Sequence, residues 1–151
     1  MSGHYAQGLE NFDKSLAIRL NIFGENHRDV AVLYYNYGYS YYLQDSLEKA
    51  LEYYDRSTAI KKVILGESHP NLAKNYFQVG LVYEKQGDYV QMLENYIKAY
   101  DMYVACLDKE DRNVKKTARA IDELYEKVKD KTDPDSKKVV QMYQKWQKKN
   151  K

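Results

Sequence analysis

Residues 9–50, LENFDKSLAIRLNIFGENHRDVAVLYYNYGYSYYLQDSLEKA, align without a gap on residues 51–92, LEYYDRSTAIKKVILGESHPNLAKNYFQVGLVYEKQGDYVQM. Fifteen of the 42 positions are identical. A third copy starts at Leu93 as LENYIKAYDMYVACLDKEDRNVKK and then drifts, and SGHYAQGLENF near the start matches the later QGDYVQMLENY. Self-similarity at a fixed period of this length means that one supersecondary unit is used several times. A unit of that size cannot bury its own apolar face, so neighbouring copies must stack.

Within a copy, apolar residues recur at intervals of three and four. Val30, Leu33, Tyr34, Tyr37 and Tyr41 fall on one side of a helix that runs to about Gln44. Leu47, Ala50, Leu51, Tyr54, Ala59 and Ile60 mark a second helix that ends near Leu65. Gly66 and, one period earlier, Gly24 occupy the position after a helix end where a left-handed residue is expected. Pro70 falls at the first position of the next helix, where a missing N–H is harmless. Gln86-Gly87-Asp88 reads as the short turn of a hairpin.

Composition agrees. Seventeen Tyr stand against 2 Pro and 7 Gly, too little punctuation for a chain of short strands. The single Cys106 excludes an internal disulfide and multi-thiolate zinc sites, and fits a reducing compartment. The first residues lack the basic and apolar regions of a signal peptide, and no apolar run approaches the roughly 18–20 residues of a membrane span. The expected location is cytoplasmic. Residues 1–107 carry 10 Lys and Arg against 13 Asp and Glu, whereas residues 108–151 carry 14 against 9.

Tyr34-x2-Tyr37-Gly38-x2-Tyr41 followed by Ala50-x3-Tyr54-x2-Ser57 resembles the tetratricopeptide repeat signature. Tyr76, Val79, Gly80, Tyr83, Met92, Tyr96 and Ala99 fill the same slots in the next copy. The 42-residue period is longer than the usual 34 of that family. With the Leu-Gly-Glu-x-His-Pro joint and the amides Asn36 and Gln78 two residues before the helix glycine, it is similar to the kinesin light chain-type subfamily. The resemblance covers about residues 3–125. It implies an all-α fold, a right-handed α-solenoid of antiparallel helix pairs with about seven helices and a C-terminal capping helix. The expected organisation is a single domain over 1–151: a partial repeat at 3–26, repeats at 27–68 and 69–110, a degenerate repeat at 111–130 and a capping helix at 133–149. In the degenerate repeat Asp122 replaces the helix glycine, while Asp108 and Asp111 replace the Gly and His of the joint. Asp133-Pro134 should start the last helix, with Val139, Val140, Met142, Tyr143 and Trp146 covering the stack and the lysines facing water. The chain reads as starting inside a second helix.

The resemblance also implies that the first helix of each pair lines a concave groove. Helical spacing then places Val32, Tyr35, Asn36, Tyr39 and Tyr42 in it from one copy, and Lys74, Phe77, Gln78, Leu81 and Lys85 from the next. Lys116, Arg119, Ala120 and Glu123 follow from the third. Tetratricopeptide domains that hold acidic chaperone tails use a clamp of Lys and Asn residues. In those slots this chain has Tyr35, Tyr39, Gln78, Lys116 and Ala120, of which only Lys116 matches, so tight binding to such tails is not expected.

Glu67-Ser68-His69 has the residue types of a hydrolytic site, but His69 recurs as His27 one period earlier. A capping residue recurs with the structural period; a catalytic residue has no reason to. No metal-ligand spacing, glycine-rich phosphate loop or nucleophile elbow occurs. The expectation is a non-enzyme with no catalytic or metal-binding residues, no cofactor and no small-molecule substrate. Its partner would be a protein or peptide with an apolar or aromatic anchor and acidic flanks. The alternatives are a structural segment that self-associates through an open N-terminal end, and contact with nucleic acid or acidic membrane through the last helix. Residues 136–151 hold six lysines and no acid, and a solvated helix end with its lysines near the negative pole of the dipole is the favoured account of them.

Overall fold

The computed structural model describes the backbone of residues 2–24 and 26–150, and the side chains of residues 8–21, 24 and 26–150. His4 lies outside the described side chains. Seven helices and no strand occur among the described residues: α1 (Ser2–Phe23), α2 (Arg28–Leu43), α3 (Leu47–Leu65), α4 (Pro70–Gln86), α5 (Tyr89–Cys106), α6 (Arg112–Val128) and α7 (Pro134–Asn150). The fold is the expected all-α array of helix pairs. The chain forms two compact units, Met1–Asn75 and Tyr76–Lys151, with the boundary inside α4.

In the first unit α2 packs against both α1 and α3. Val30, Ala31, Tyr34, Tyr37 and Ile60 form its core, with Leu9, Phe12, Leu16 and Leu20 of α1 laid against them. Tyr37 meets Phe12 edge-on at 5.5 Å and stacks on Tyr53 at 4.9 Å. Its hydroxyl donates to Asp13, and burial together with that carboxylate pushes its ionisation well above the ordinary phenol range. On α3 the buried stripe is Ala50, Tyr54, Ser57 and Ile60. Ala59, expected on that face, is not part of the buried stripe, because nine residues beyond Ala50 a helix has turned by about 180°.

In the second unit α5 packs against α6 and α7, and α6 against α7. Met92, Leu93, Tyr96, Ile121, Leu124, Val139, Tyr143 and Trp146 are buried there. The two helix glycines serve as close-approach points. A Cβ on Gly38 would lie 2.7 Å from the ring of Tyr54, and one on Gly80 2.5 Å from the ring of Tyr96. These are the same contact one period apart, and it leaves no space for a methyl group.

Where Asp122 replaces that glycine, contact becomes polar. The Tyr143 hydroxyl donates to Asp122 at 2.7 Å, and Tyr143 stacks on Tyr125 at 4.1 Å. Burial, then the hydrogen bond to Asp122, pushes the Tyr143 phenol up to about 12. The last helix starts as expected: Asp133 accepts from the Ser136 amide at 2.9 Å and from its hydroxyl at 2.7 Å, and Pro134 is the first helical residue. Val139, Tyr143 and Trp146 are buried, whereas Val140 and Met142 are half-buried.

Candidate functional site: joints and cavities of the two units

Three helix starts are closed by one kind of bond. His27 Nδ1 accepts from the Asp29 amide at 3.0 Å, and His69 Nδ1 from the Asn71 amide at 3.0 Å. In the third joint Asp111 accepts from the Asn113 amide at 2.7 Å. Residue i thus satisfies an orphan amide at i+2 in each case. The replacement of His by Asp keeps the cap, and the Glu67-Ser68-His69 run is part of a helix joint. Gly66 precedes it with φ 87° and ψ −175°. That is extended backbone of the mirror-image region, not the left-handed helical turn expected: the chain leaves α3 extended toward Pro70, and only glycine accepts that geometry without strain.

The first unit holds a cavity of about 480 Å³ at the joint of α3 and α4. Val32, Tyr35 and Asn36 of α2 line it together with Lys74 of α4, four of the residues expected in the groove. Arg28, Lys61 and His69 line it too. Lys74 Nζ lies 4.8 Å from the centre of the Tyr35 ring, and Lys61 Nζ lies 5.0 Å from the same centre. Both are within cation–π range. The lysine of α3 is fixed from behind: its Nζ donates to Asn75 Oδ1 at 2.7 Å, and Asn75 donates in turn to Ser57 Oγ at 3.0 Å and Thr58 Oγ1 at 3.2 Å. Ser57 closes the chain by donating to the Ala31 carbonyl at 2.8 Å. Burial, then the charge of Lys74, pushes the Lys61 ammonium down to about 8.

The second unit holds a cavity of about 490 Å³, lined by Phe77, Leu81, Met92 and Tyr96 on its apolar side. Lys116, Arg119, Lys127, Glu84 and Glu123 supply its charges. Phe77, 8% exposed, stacks on Tyr96 at 4.9 Å, and Lys116 Nζ sits 4.8 Å from its centre. Lys116 on Phe77 and Lys74 on Tyr35 are the same pair displaced by one period.

The remaining candidates fall outside these cavities. Tyr39, 46% exposed, lies beside Tyr42 with ring centres 6.5 Å apart. Tyr35, on the wall of the first cavity, also packs on Tyr54 at 5.4 Å, whose buried hydroxyl has no hydrogen-bond partner among the described residues. Gln78 is half-buried and Lys85 exposed, and neither lines a cavity described above. Spacing along the middle and end of each first helix reaches neither Arg28, at the start of α2, nor Lys61, on α3. The period does not mark Lys61 either: its slot holds Arg19 one copy earlier and Tyr103 one copy later, side chains of different chemistry. Among the described residues no three His, Cys, Asp or Glu side chains gather as metal ligands would, and no described helix is long and apolar enough to cross a membrane.

Helix pairs repeated at one period, with ring-against-glycine contacts inside them, define a helical repeat protein. The chain belongs to the tetratricopeptide repeat family, whose model matches residues 1–62 and 29–105. Repeats of this family mediate protein–protein contact or scaffolding, on a fold that is typically non-catalytic. Among solved structures the chain is similar to BtubC (BKLC) from P. vanneervenii, with a TM-score of 0.76 at 16% identity over 95% of this chain. It spans 56% of that protein's length. It is also similar to the nearly identical TPR-like repeats of a kinesin light chain from Podosopora anserina, with a TM-score of 0.66 at 15% identity, covering 99% of this chain and 70% of that one. A point variant of the latter gives 0.67 at 15%, with 98% and 69% covered. These likenesses establish the fold. No curated protein matches the chain in sequence.

Proposed function

We propose that the chain is a non-catalytic module of the scaffold or cargo-adaptor kind, working in the cytoplasm, that holds a peptide or helix of a partner protein against the first helices of its hairpins. The observation that carries this reading is the lysine laid over an aromatic ring on a cavity wall, found in each unit at equivalent repeat positions. Such a wall offers a partner an apolar surface beside a fixed positive charge. Val32 and Tyr35 in the first unit, and Phe77 and Leu81 in the second, would each receive an apolar or aromatic anchor. Lys74, Lys116 and Arg119 would pair with acidic residues flanking it. Asn36, Tyr39 and Tyr42 would extend the binding surface on α2 of the first unit, and Gln78 and Lys85 would extend it on α4 of the second.

Panning a random peptide display library on the full chain, followed by calorimetric titration of enriched peptides, tests the reading. Enriched sequences should pair an aromatic or large aliphatic residue with Asp or Glu. The double variant Lys116→Glu/Arg119→Glu should bind them about tenfold more weakly with helicity retained. Peptides bound equally well by that variant and by Tyr39→Ala would sink the proposal.

A further inference from the structure

The cavity of the first unit has a charge arrangement that the repeat does not require. One slot of each joint, on the second helix of a pair, holds Arg19, Lys61 and Tyr103 in successive copies. A second slot, on the first helix of the following pair, holds Val32, Lys74 and Lys116. One basic residue suffices at the flanking joints. Arg19 donates to the Asp29 carbonyl at 3.3 Å, the counterpart of the contact from Lys61 to the Asn71 carbonyl at 3.4 Å. At the third joint Tyr103 is buried in its slot, and Lys116 lies over the Phe77 ring. Only the middle joint of the three makes both slots basic.

The two ammoniums converge on the Tyr35 ring, with Arg28 on the same cavity wall. No carboxylate occurs among the described residues that line it, whereas the second unit's cavity sets Glu84 and Glu123 among its cations. Bringing like charges together in a partly dry site costs free energy unless an anion offsets them. The surroundings sustain that cost: fully buried Ser57 and Asn75 form a chain of hydrogen bonds that ends on half-buried Lys61 and fixes its ammonium in place. One copy later those slots hold Ala99, Thr117 and Tyr103, which cannot build it.

We infer that this cavity receives a doubly charged oxyanion, the phosphoryl group of a phosphorylated side chain on the bound segment. A single carboxylate offsets one ammonium. A phosphoryl group carries about −1.5 to −2 charge near neutral pH and three acceptor oxygens, enough for both lysines with a guanidinium fork from Arg28. The inference rests on reading the first helices as a partner-binding surface, but its test needs no partner.

The full chain is titrated with N-acetyl-phosphoserine methylamide, with the serine and aspartate analogues, and with inorganic phosphate, at constant ionic strength. Backbone amide shifts report the location. Saturable shifts of residues 28–36 and 61–75 are expected with the phosphoserine probe, with the aspartate analogue and inorganic phosphate each about tenfold weaker. Lys61→Met and, independently, Lys74→Met should each weaken the phosphoserine probe about tenfold, while Lys14→Gln on the exposed face of α1 leaves it unchanged. Equal affinity for the aspartate analogue overturns selection of a dianion. Equal affinity for inorganic phosphate overturns assignment to a side chain, and absence of saturation overturns the site. Failure here with display peptides still captured refutes this inference alone. Phosphoserine binding without peptide capture refutes the proposed function instead.

Discussion

Lys74 over Tyr35 and Lys116 over Phe77 are one contact made twice, yet the two cavities around them are charged differently. The first adds Lys61 and Arg28 with no acid among its described lining residues; the second adds Arg119 and Lys127 and balances them with Glu84 and Glu123. The rings differ as well. Phe77 is closed in by Tyr96, whereas Tyr35 is half-buried and shared by two ammoniums. What the period repeats is scaffold: the glycine against a ring, the capped helix start, the lysine on the wall. What departs from the period sets the chemistry of each cavity.

Placing a methyl group at the shared close approach should break both units most severely. Gly38→Ala and Gly80→Ala each force a buried tyrosine ring to move, and each should cost about 2 kcal/mol in denaturant unfolding. A tolerated Gly38→Ala beside a damaging Gly80→Ala would show that the units are not energetically equivalent. At the joints, His69→Ala removes a cap and should cost about 1 kcal/mol, with His69→Asn recovering most of it. Asp111→Ala should cost a similar amount, which would confirm that the carboxylate does the same work there.

The charge difference predicts a pH effect confined to the first unit. Below about pH 8 the folded chain keeps Lys61 protonated in a place that disfavours its charge. Between that value and the ordinary lysine value of about 10.4, the unfolded chain holds a proton that the folded chain has released, so stability rises with pH. Thermal melts from pH 7.5 to 9.5 should show the rise in the wild type and not in Lys61→Met. Above about pH 10 the sign reverses: burial holds the Tyr37 and Tyr54 phenols protonated, ionisation favours the unfolded chain, and stability falls. The smallest change in stability should come from Tyr39→Ala, within about 0.5 kcal/mol because the ring is half exposed. Its effect should appear in peptide titrations instead.

Most of the fold was legible because a 42-residue period and the three-and-four spacing of tyrosines leave few ways to bury them. The helix starts at Pro70 and Pro134, the turn at Gly87 and the cap at Asp133 followed from local chemistry. Part of the first cavity's lining coincides with residues that spacing singled out, namely Val32, Tyr35, Asn36 and Lys74. Lys61 was not among them, since its direction depends on a buried Asn75–Ser57 chain between helices that no single-helix periodicity encodes. Ala59 differs, since the turn of α3 alone already carries it about 180° from Ala50, and the extended ψ at Gly66 follows the path of the chain out of α3. Apolar spacing states which residues can share a face, and the angle at which the next helix arrives decides which of them do.

The cap shared by His27, His69 and Asp111 also bears on how such a chain can change length. Each joint closes on itself, through a side chain and an amide two residues later. Deleting residues 28–69 would leave His27 in front of Pro70 and Asn71, standing where His69 stood and facing the same amide. Splicing at these points removes or inserts a whole repeat without leaving a helix start unclosed, so the joint is a natural seam for lengthening or shortening the protein in steps of one unit.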